Sequence, residues 1–137
     1  MAPYPSRTDI ELLASSLGTS DPSPFFDRVS PNVVWDVMGT HPAAGHFTSL
    51  DAWKNNALGT INAVLQEPLK LRVRNVVGGG DQAWAVLELE ANGVCKNGME
   101  YPQRYSWWLH FDDKGVVYEA RAYLDSALVQ KAIDSNS

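Results

Sequence analysis

The chain has 137 residues, 45% hydrophobic and 20% charged, which suffices for one domain with a real core, is short for two, and excludes wholesale disorder. Eleven Lys and Arg against sixteen Asp and Glu give a formal charge of -5, and no basic run concentrates positive potential, which argues against nucleic acid as a partner. Cys95 is the sole cysteine, so no intrachain disulfide or Cys-based zinc site is available; without a membrane-length apolar window, or a signal-peptide core in MAPYPSRTDI, the expectation is a cytoplasmic protein with no membrane partner.

In chain order, Thr8 and Glu11 have the spacing of a capping box, after which Ile10, Leu13 and Leu17 share one side of a helix that Gly18 ends. Ser23 as N-cap and Pro24 at the first helical position open a second helix, with Phe25, Phe26 and Val29 toward the core. Residues 32–39 alternate as a strand, with Val33, Trp35 and Val37 on one side and Val34, Asp36 and Met38 on the other. Residues 40–47 read as a loop or irregular strand. Thr48 and Asp51 then start a third helix whose Leu50, Trp53, Ala57, Ile61, Val64 and Leu65 form one apolar stripe, closed by Pro68. Residues 69–77 and 82–92 are strands around the turn Gly78-Gly79-Gly80-Asp81, and glycines that precede a strand are no phosphate loop.

Residues 100–125, EYPQRYSWWLHFDDKGVVYEARAYLD, form two long strands joined by a tight turn at 112–115. Alternation puts Tyr101, Gln103, Tyr105, Trp107, Leu109 and Phe111 on one face of the first strand and Arg104, Ser106, Trp108 and His110 on the other. In the second, Val117, Glu119, Arg121, Tyr123 and Asp125 are expected to share a face. Carboxylates, a guanidinium and phenols interleaved with aromatics suit the wall of a small-molecule pocket. Residues 126–133 make a short C-terminal helix.

Helices first, a lone strand, a helix, then four strands in hairpin succession is an α+β pattern: a strongly curved antiparallel sheet wrapped as a cone around the N-terminal helices and enclosing a pocket. Over nearly its whole length the chain resembles the nuclear transport factor 2-like superfamily, which includes SnoaL-like polyketide cyclases, ketosteroid isomerases and limonene epoxide hydrolases. The local mark is Asp36-Val37-Met38-Gly39-Thr40-His41-Pro42-Ala43-Ala44-Gly45, which matches the D-x-x-G-x-x-P-x-x-G run around the general base of ketosteroid isomerases. The resemblance implies one domain over residues 1–137 and a hydrophobic, oxygenated small-molecule substrate. It also implies cofactor-independent general acid/base catalysis, as in a cyclase, isomerase or dehydratase of secondary metabolism. The other reading is a non-catalytic small-ligand carrier or a dimeric interaction domain, because a fold does not specify chemistry.

Within that resemblance Asp36 stands at the general base, on a strand whose apolar neighbours solvate charge poorly. The second carboxylic acid of the isomerases falls at about Trp107, and the first helix has no tyrosine. That argues against steroid isomerisation and leaves an oxyanion role to Tyr101, Tyr105 or Tyr123. Glu119 and Arg121 would pair and position a substrate oxygen if their face lines the cavity, a structural ion pair being the alternative. The Arg-x-Asp pair of limonene epoxide hydrolases falls at Arg104 and Ser106, without the aspartate. Asp36, Glu119, Arg121 and Tyr105 are the catalytic candidates; Tyr101, Trp107, Tyr123, His46 and Glu88 are the substrate-binding ones; no metal or other cofactor is expected.

Glu88 reads two ways. Simple burial turns Leu87 and Leu89 inward and leaves Glu88 and Glu90 to water. The resemblance implies the reverse, with Glu88 in the cavity and Leu87, Leu89, Trp108 and Tyr118 forming an apolar outer face that makes a homodimer interface. His41 and His46 lie in the loop around Pro42, where His46 is the better proton shuttle, and His110 is expected to be structural.

Overall fold

The computed structural model describes residues 2–136. Six strands, β1 (Val29–Val37), β2 (Gly45–Phe47), β3 (Arg72–Gly78), β4 (Trp84–Val94), β5 (Glu100–Phe111) and β6 (Val117–Leu124), form one curved, open sheet in the order β2-β1-β6-β5-β4-β3. It is mixed, not wholly antiparallel: β3 to β6 reverse direction at each step, and β6 then enters beside β1, to which it runs parallel. The α+β cone expected from the element order is therefore present, with one parallel pair inside it.

Helix α1 (Arg7–Ala14) and a 3-10 turn (Ser15–Gly18) lead to the short α2 (Ser23–Phe26). The capping box is Ser6 with Asp9, not Thr8 with Glu11: Asp9 N–H donates to Ser6 Oγ at 3.1 Å and Ser6 N–H to Asp9 Oδ2 at 3.2 Å. Ser49 likewise caps the third helix in place of Thr48, and Pro22 occupies the N-cap position of α2. That third helix runs as α3 (Leu50–Trp53), a π turn (Lys54–Leu58) and α4 (Gly59–Asn62), ending before Val64 and Leu65, which are buried all the same. Helix α5 (Ser126–Ser135) follows β6, capped by Asp125, whose carboxylate accepts from the Leu128 N–H.

On the inner face, Val33, Trp35 and Val37 of β1 and Leu87 and Leu89 of β4 are buried, as are Tyr101, Gln103, Trp107, Leu109 and Phe111 of β5. A tryptophan cluster sits at the centre. Trp35 stacks on Trp53 with centroids 3.9 Å apart, and Trp107 meets them edge-on at 5.1 and 5.9 Å. Burying three indoles gives this helix-to-sheet contact a large apolar area.

The second strand of the hairpin departs from simple alternation. Val117 pairs with Phe111 and Glu119 with His110, so Tyr118 is an extra residue against the partner strand. This β-bulge flips the phase. Val117 points inward, whereas beyond the bulge Ala120 and Ala122 are buried and Glu119, Arg121 and Tyr123 pass to the outer face. The expectation that Glu119, Arg121 and Tyr123 line the cavity is corrected accordingly. In β4 the plain burial reading holds instead of the one implied by resemblance. Leu87 and Leu89 are 0% and 1% exposed, and Glu88 lies outside, its carboxylate accepting from Asn75 Nδ2 at 3.2 Å.

Candidate functional site

Between the π turn, the 67–71 segment and the inner face lies a vestibule of about 380 Å³, floored by Phe26, Trp53, Leu58 and Trp107 and rimmed by Thr19, Ser20, Asn62, Glu67 and Lys70. Adjoining it along the inner face is a smaller, inner chamber of about 40 Å³, likewise partly open, whose wall adds Val37, Ala122 and Tyr105. Trp53, Leu58, Leu69, Leu71 and Trp107 belong to both spaces. The alanines on β6 make room there, because a larger side chain at Ala122 would fill the chamber.

Few polar residues line the inner chamber. The indole Nε1 atoms of Trp35 and Trp107 are buried without a hydrogen-bond acceptor in the protein. Buried donors nearly always have partners, and of these two residues Trp107 lines both spaces. Tyr105 faces the Tyr101 hydroxyl; burial, reinforced by that neighbour, pushes its phenol well above the usual range and keeps it protonated. Burial pushes Tyr101 up as well, and its oxygen accepts from Gln103 Nε2 at 3.2 Å. Gln103 in turn ties the end of β6: its Oε1 accepts from the Asp125 N–H at 2.8 Å and its Nε2 donates to the Asp125 carbonyl at 3.1 Å. The phenols are thus held by a fixed side-chain network.

The other candidates gather on the opposite face of the sheet. Asp36 lies beside Arg121, and its carboxylate is hydrogen-bonded to His46 Nδ1. Arg121 reaches Glu119 at 3.4 Å and covers the Trp84 ring at 4.8 Å, and Trp84 stacks on His110 at 4.1 Å. His110 bridges Glu119, 3.2 Å from Nδ1, and the Tyr118 hydroxyl, 3.1 Å from Nε2. The structure therefore splits the candidates. Tyr101, Tyr105 and Trp107 meet on the inner side, while Asp36, His46, Glu88, Glu119, Arg121 and Tyr123 stand on the outer one.

His41 is a structural residue. Its Nε2 donates to the Met38 carbonyl at 3.0 Å, its Nδ1 accepts from the Ala43 N–H at 3.2 Å, and burial pushes its pKa down. Sequence reasoning missed the vestibule residues Leu69 and Lys70, which sit on a loop without periodicity, and also the clamp on Glu90. That carboxylate, 5% exposed, accepts from Arg72 Nε at 2.6 Å, Arg74 at 2.9 Å and Arg104 at 2.5 Å. Among the described residues no group of three or more His, Cys, Asp or Glu is placed to hold a metal ion, and no helix is long and apolar enough to cross a membrane.

A curved mixed sheet with helices over one face and a pocket between them is the nuclear transport factor 2-like fold, as the sequence resemblance implied. The nuclear transport factor 2-like protein of Burkholderia thailandensis superposes with a TM-score of 0.74 at 17% identity, covering 97% of this chain and 98% of that one. TerC, solved in co-crystals with polyporic acid, superposes at 0.73 with 19% identity, covering 94% and 99%. In sequence the chain is 27% identical over 112 residues to the dimerizing cyclase phiC of a fungal species, covering 81% of this chain and 50% of that protein. The chain thus spans about half the length of that curated relative. No protein-family profile matches it.

Proposed function

We propose that this chain is a cyclase-type enzyme of secondary metabolism that binds a hydrophobic, oxygenated small molecule in the vestibule and inner chamber. Its relative phiC is named a cyclase, and TerC was crystallised with a small organic acid. The observation that carries the reading is an apolar cavity lined by the protonated Tyr105 phenol and by Trp107, whose buried indole N–H has no partner in the protein. A carbonyl oxygen between them would accept both hydrogen bonds. As ring closure places negative charge on that oxygen, these donors stabilise it, and the Tyr105 proton can follow. Glu67 on the rim is the carboxylate nearest this chemistry by cavity lining, and the interior wall offers donors without an opposing base. The reaction needs no cofactor, and one domain spans residues 1–137, located in the cytoplasm.

The test is binding and turnover with polyporic acid as first probe. Quenching of tryptophan fluorescence is expected in the unmodified protein. Tyr105→Phe should lower turnover about a hundredfold, the usual cost of one oriented donor, with binding retained and EDTA without effect. A second reading places the chemistry on the outer face, favoured by the Glu119–His110–Tyr118 chain and the Asp36–His46 pair with Arg121 beside them. Loss of activity in Asp36→Asn with Tyr105→Phe fully active would establish that face and overturn the inner one. We also propose a homodimer through the outer face, whose exposed rings are Trp108, Tyr118 and Tyr123.

A further inference from the structure

We infer that Gln103 is a positioning residue of the inner site: through Tyr101 it fixes the direction of a hydrogen-bond chain and leaves the Tyr105 hydroxyl proton free for a ligand oxygen. This rests on the inner-face reading given above.

Tyr101, Gln103 and Tyr105 follow one another at every second position of β5 and so share its inner face. Gln103 is fully buried, and both ends of its amide must find partners inside the protein. One end meets two main-chain N–H groups, that of Asp125 at 2.8 Å and that of Arg104 at 3.0 Å. A main-chain N–H only donates, so this end is the amide oxygen. The other end is therefore the nitrogen. One of its protons goes to the Asp125 carbonyl at 3.1 Å and the other to the Tyr101 oxygen at 3.2 Å. The amide cannot flip without setting donor against donor.

This direction passes on to the phenols. Tyr101 is fully buried too, and the hydrogen-bonding side chains that its hydroxyl meets are Gln103 and Tyr105. Gln103 already donates to it, so the Tyr101 proton has the Tyr105 oxygen as its acceptor. Were Tyr105 the donor instead, the Tyr101 proton would lie buried without a partner, which folded proteins rarely tolerate. Tyr105 lines the partly open inner chamber, where water or a ligand can supply the acceptor that Tyr101 lacks. The chain thus runs from Gln103 to Tyr101, to Tyr105 and to the ligand. Each donor polarises the next, which makes the Tyr105 hydroxyl a stronger donor than a lone phenol.

Acetophenone labelled with ¹³C at its carbonyl tests this by isotope-edited infrared spectroscopy, because the band of the bound ketone falls in wavenumber as its oxygen accepts a stronger hydrogen bond. Tyr105→Phe sets the zero, and the parent protein should show a downward shift from it. Tyr101→Phe keeps the ties of Gln103 to Asp125 and Arg104. It should reduce the shift by about 10–30%, the share that one cooperative neighbour supplies. An unchanged or larger shift would mean that Tyr105 is not backed by Tyr101, or donates to it, and overturns the inference. Gln103→Glu puts an acceptor where the amide nitrogen stood, draws the Tyr101 proton away from Tyr105, and should bring the band to its Tyr105→Phe position. Adding Tyr101→Phe to Gln103→Glu breaks the chain and should return the band to its place in Tyr101→Phe alone, a rescue that a purely structural Gln103 would not give. A parent-like band in Gln103→Glu, or no rescue, overturns the inference and leaves the cavity reading intact. If Gln103→Glu does not fold, the sign of the change in Tyr101→Phe decides. If Tyr105→Phe leaves the band where the parent has it, or acetophenone does not bind, the inner-face reading falls and the role of Gln103 falls with it.

Discussion

At the scale of single residues, Glu90 shows how a charge becomes structural inside a sheet. Cross-strand registry puts Arg72 and Arg104 on either side of it, and Arg74 completes the clamp. The hydrogen bond from Arg72 first, and that from Arg74 with it, hold its carboxyl below the usual range against the opposing effect of burial. A carboxyl with a lowered folded pKa adds stability above the pH where the unfolded chain titrates, near ~4.3, and loses it as pH falls. His41 works in the same direction at higher pH. Burial holds it neutral, so the unfolded chain gains a proton below ~6.5 that the folded chain resists. The acid limb of stability should therefore have two parts. In urea unfolding between pH 7.5 and 3, Glu90→Gln is expected to lower stability at neutral pH and flatten the lower part, leaving the upper one; an unchanged lower part would show that the clamp contributes nothing. None of this clamp was legible in the sequence, where Arg72, Arg74, Glu90 and Arg104 look like ordinary solvated positions. Pairing between three strands is what makes them one group.

At the scale of elements, the Tyr118 bulge decides which chemistry faces which side. The phase of β5 was legible because twelve residues alternate without interruption, and Tyr101, Tyr105 and Trp107 lie inward as read. The phase of β6 was not, since an inserted residue leaves no mark in composition and Val117 and Glu119 have the right spacing to share a face. The bulge also presents Tyr118 to His110, which fixes the imidazole between a phenol and Glu119. Deleting Tyr118 is expected to restore simple alternation. Val117 and Glu119 would then follow one another opposite Phe111 and His110, with Glu119 and Arg121 still outward and the alanines still inward, so the variant should keep cooperative unfolding by calorimetry and lose only the Tyr118–His110 hydrogen bond. Replacing Tyr118 with Phe should keep the fold as well; a deletion variant that no longer unfolds cooperatively would show that the fold requires the bulge itself.

At the scale of the whole molecule, the outer face carries large rings in the open, with Trp108 39% and Tyr118 42% exposed. Exposed aromatics grouped on one sheet face are what a partner surface covers. The Leu87 and Leu89 first assigned to that face belong to the core, so the homodimer proposed here rests on Trp84, Trp108, Tyr118 and Tyr123 with Arg121 and Glu119 between them. Trp108→Glu should weaken association in sedimentation equilibrium while leaving the melting of the monomer unit nearly unchanged. A parent protein that sediments as a monomer at micromolar concentration would exclude this assembly.

The parallel pairing of β1 with β6 has a consequence in time. Until β6 emerges, the chain holds two separate pieces of sheet, β1–β2 and β3–β5, each with a bare edge where β6 will sit. Trp35 and Trp107 project from the two strands that flank this gap, so the central aromatic cluster cannot close during synthesis of the first hundred or so residues. Joining the pieces is a contact between the two ends of the sequence, the kind whose loop-closure entropy slows folding. A nascent chain of this design keeps indoles and strand edges uncovered until β6 is made, the kind of surface through which incomplete chains aggregate.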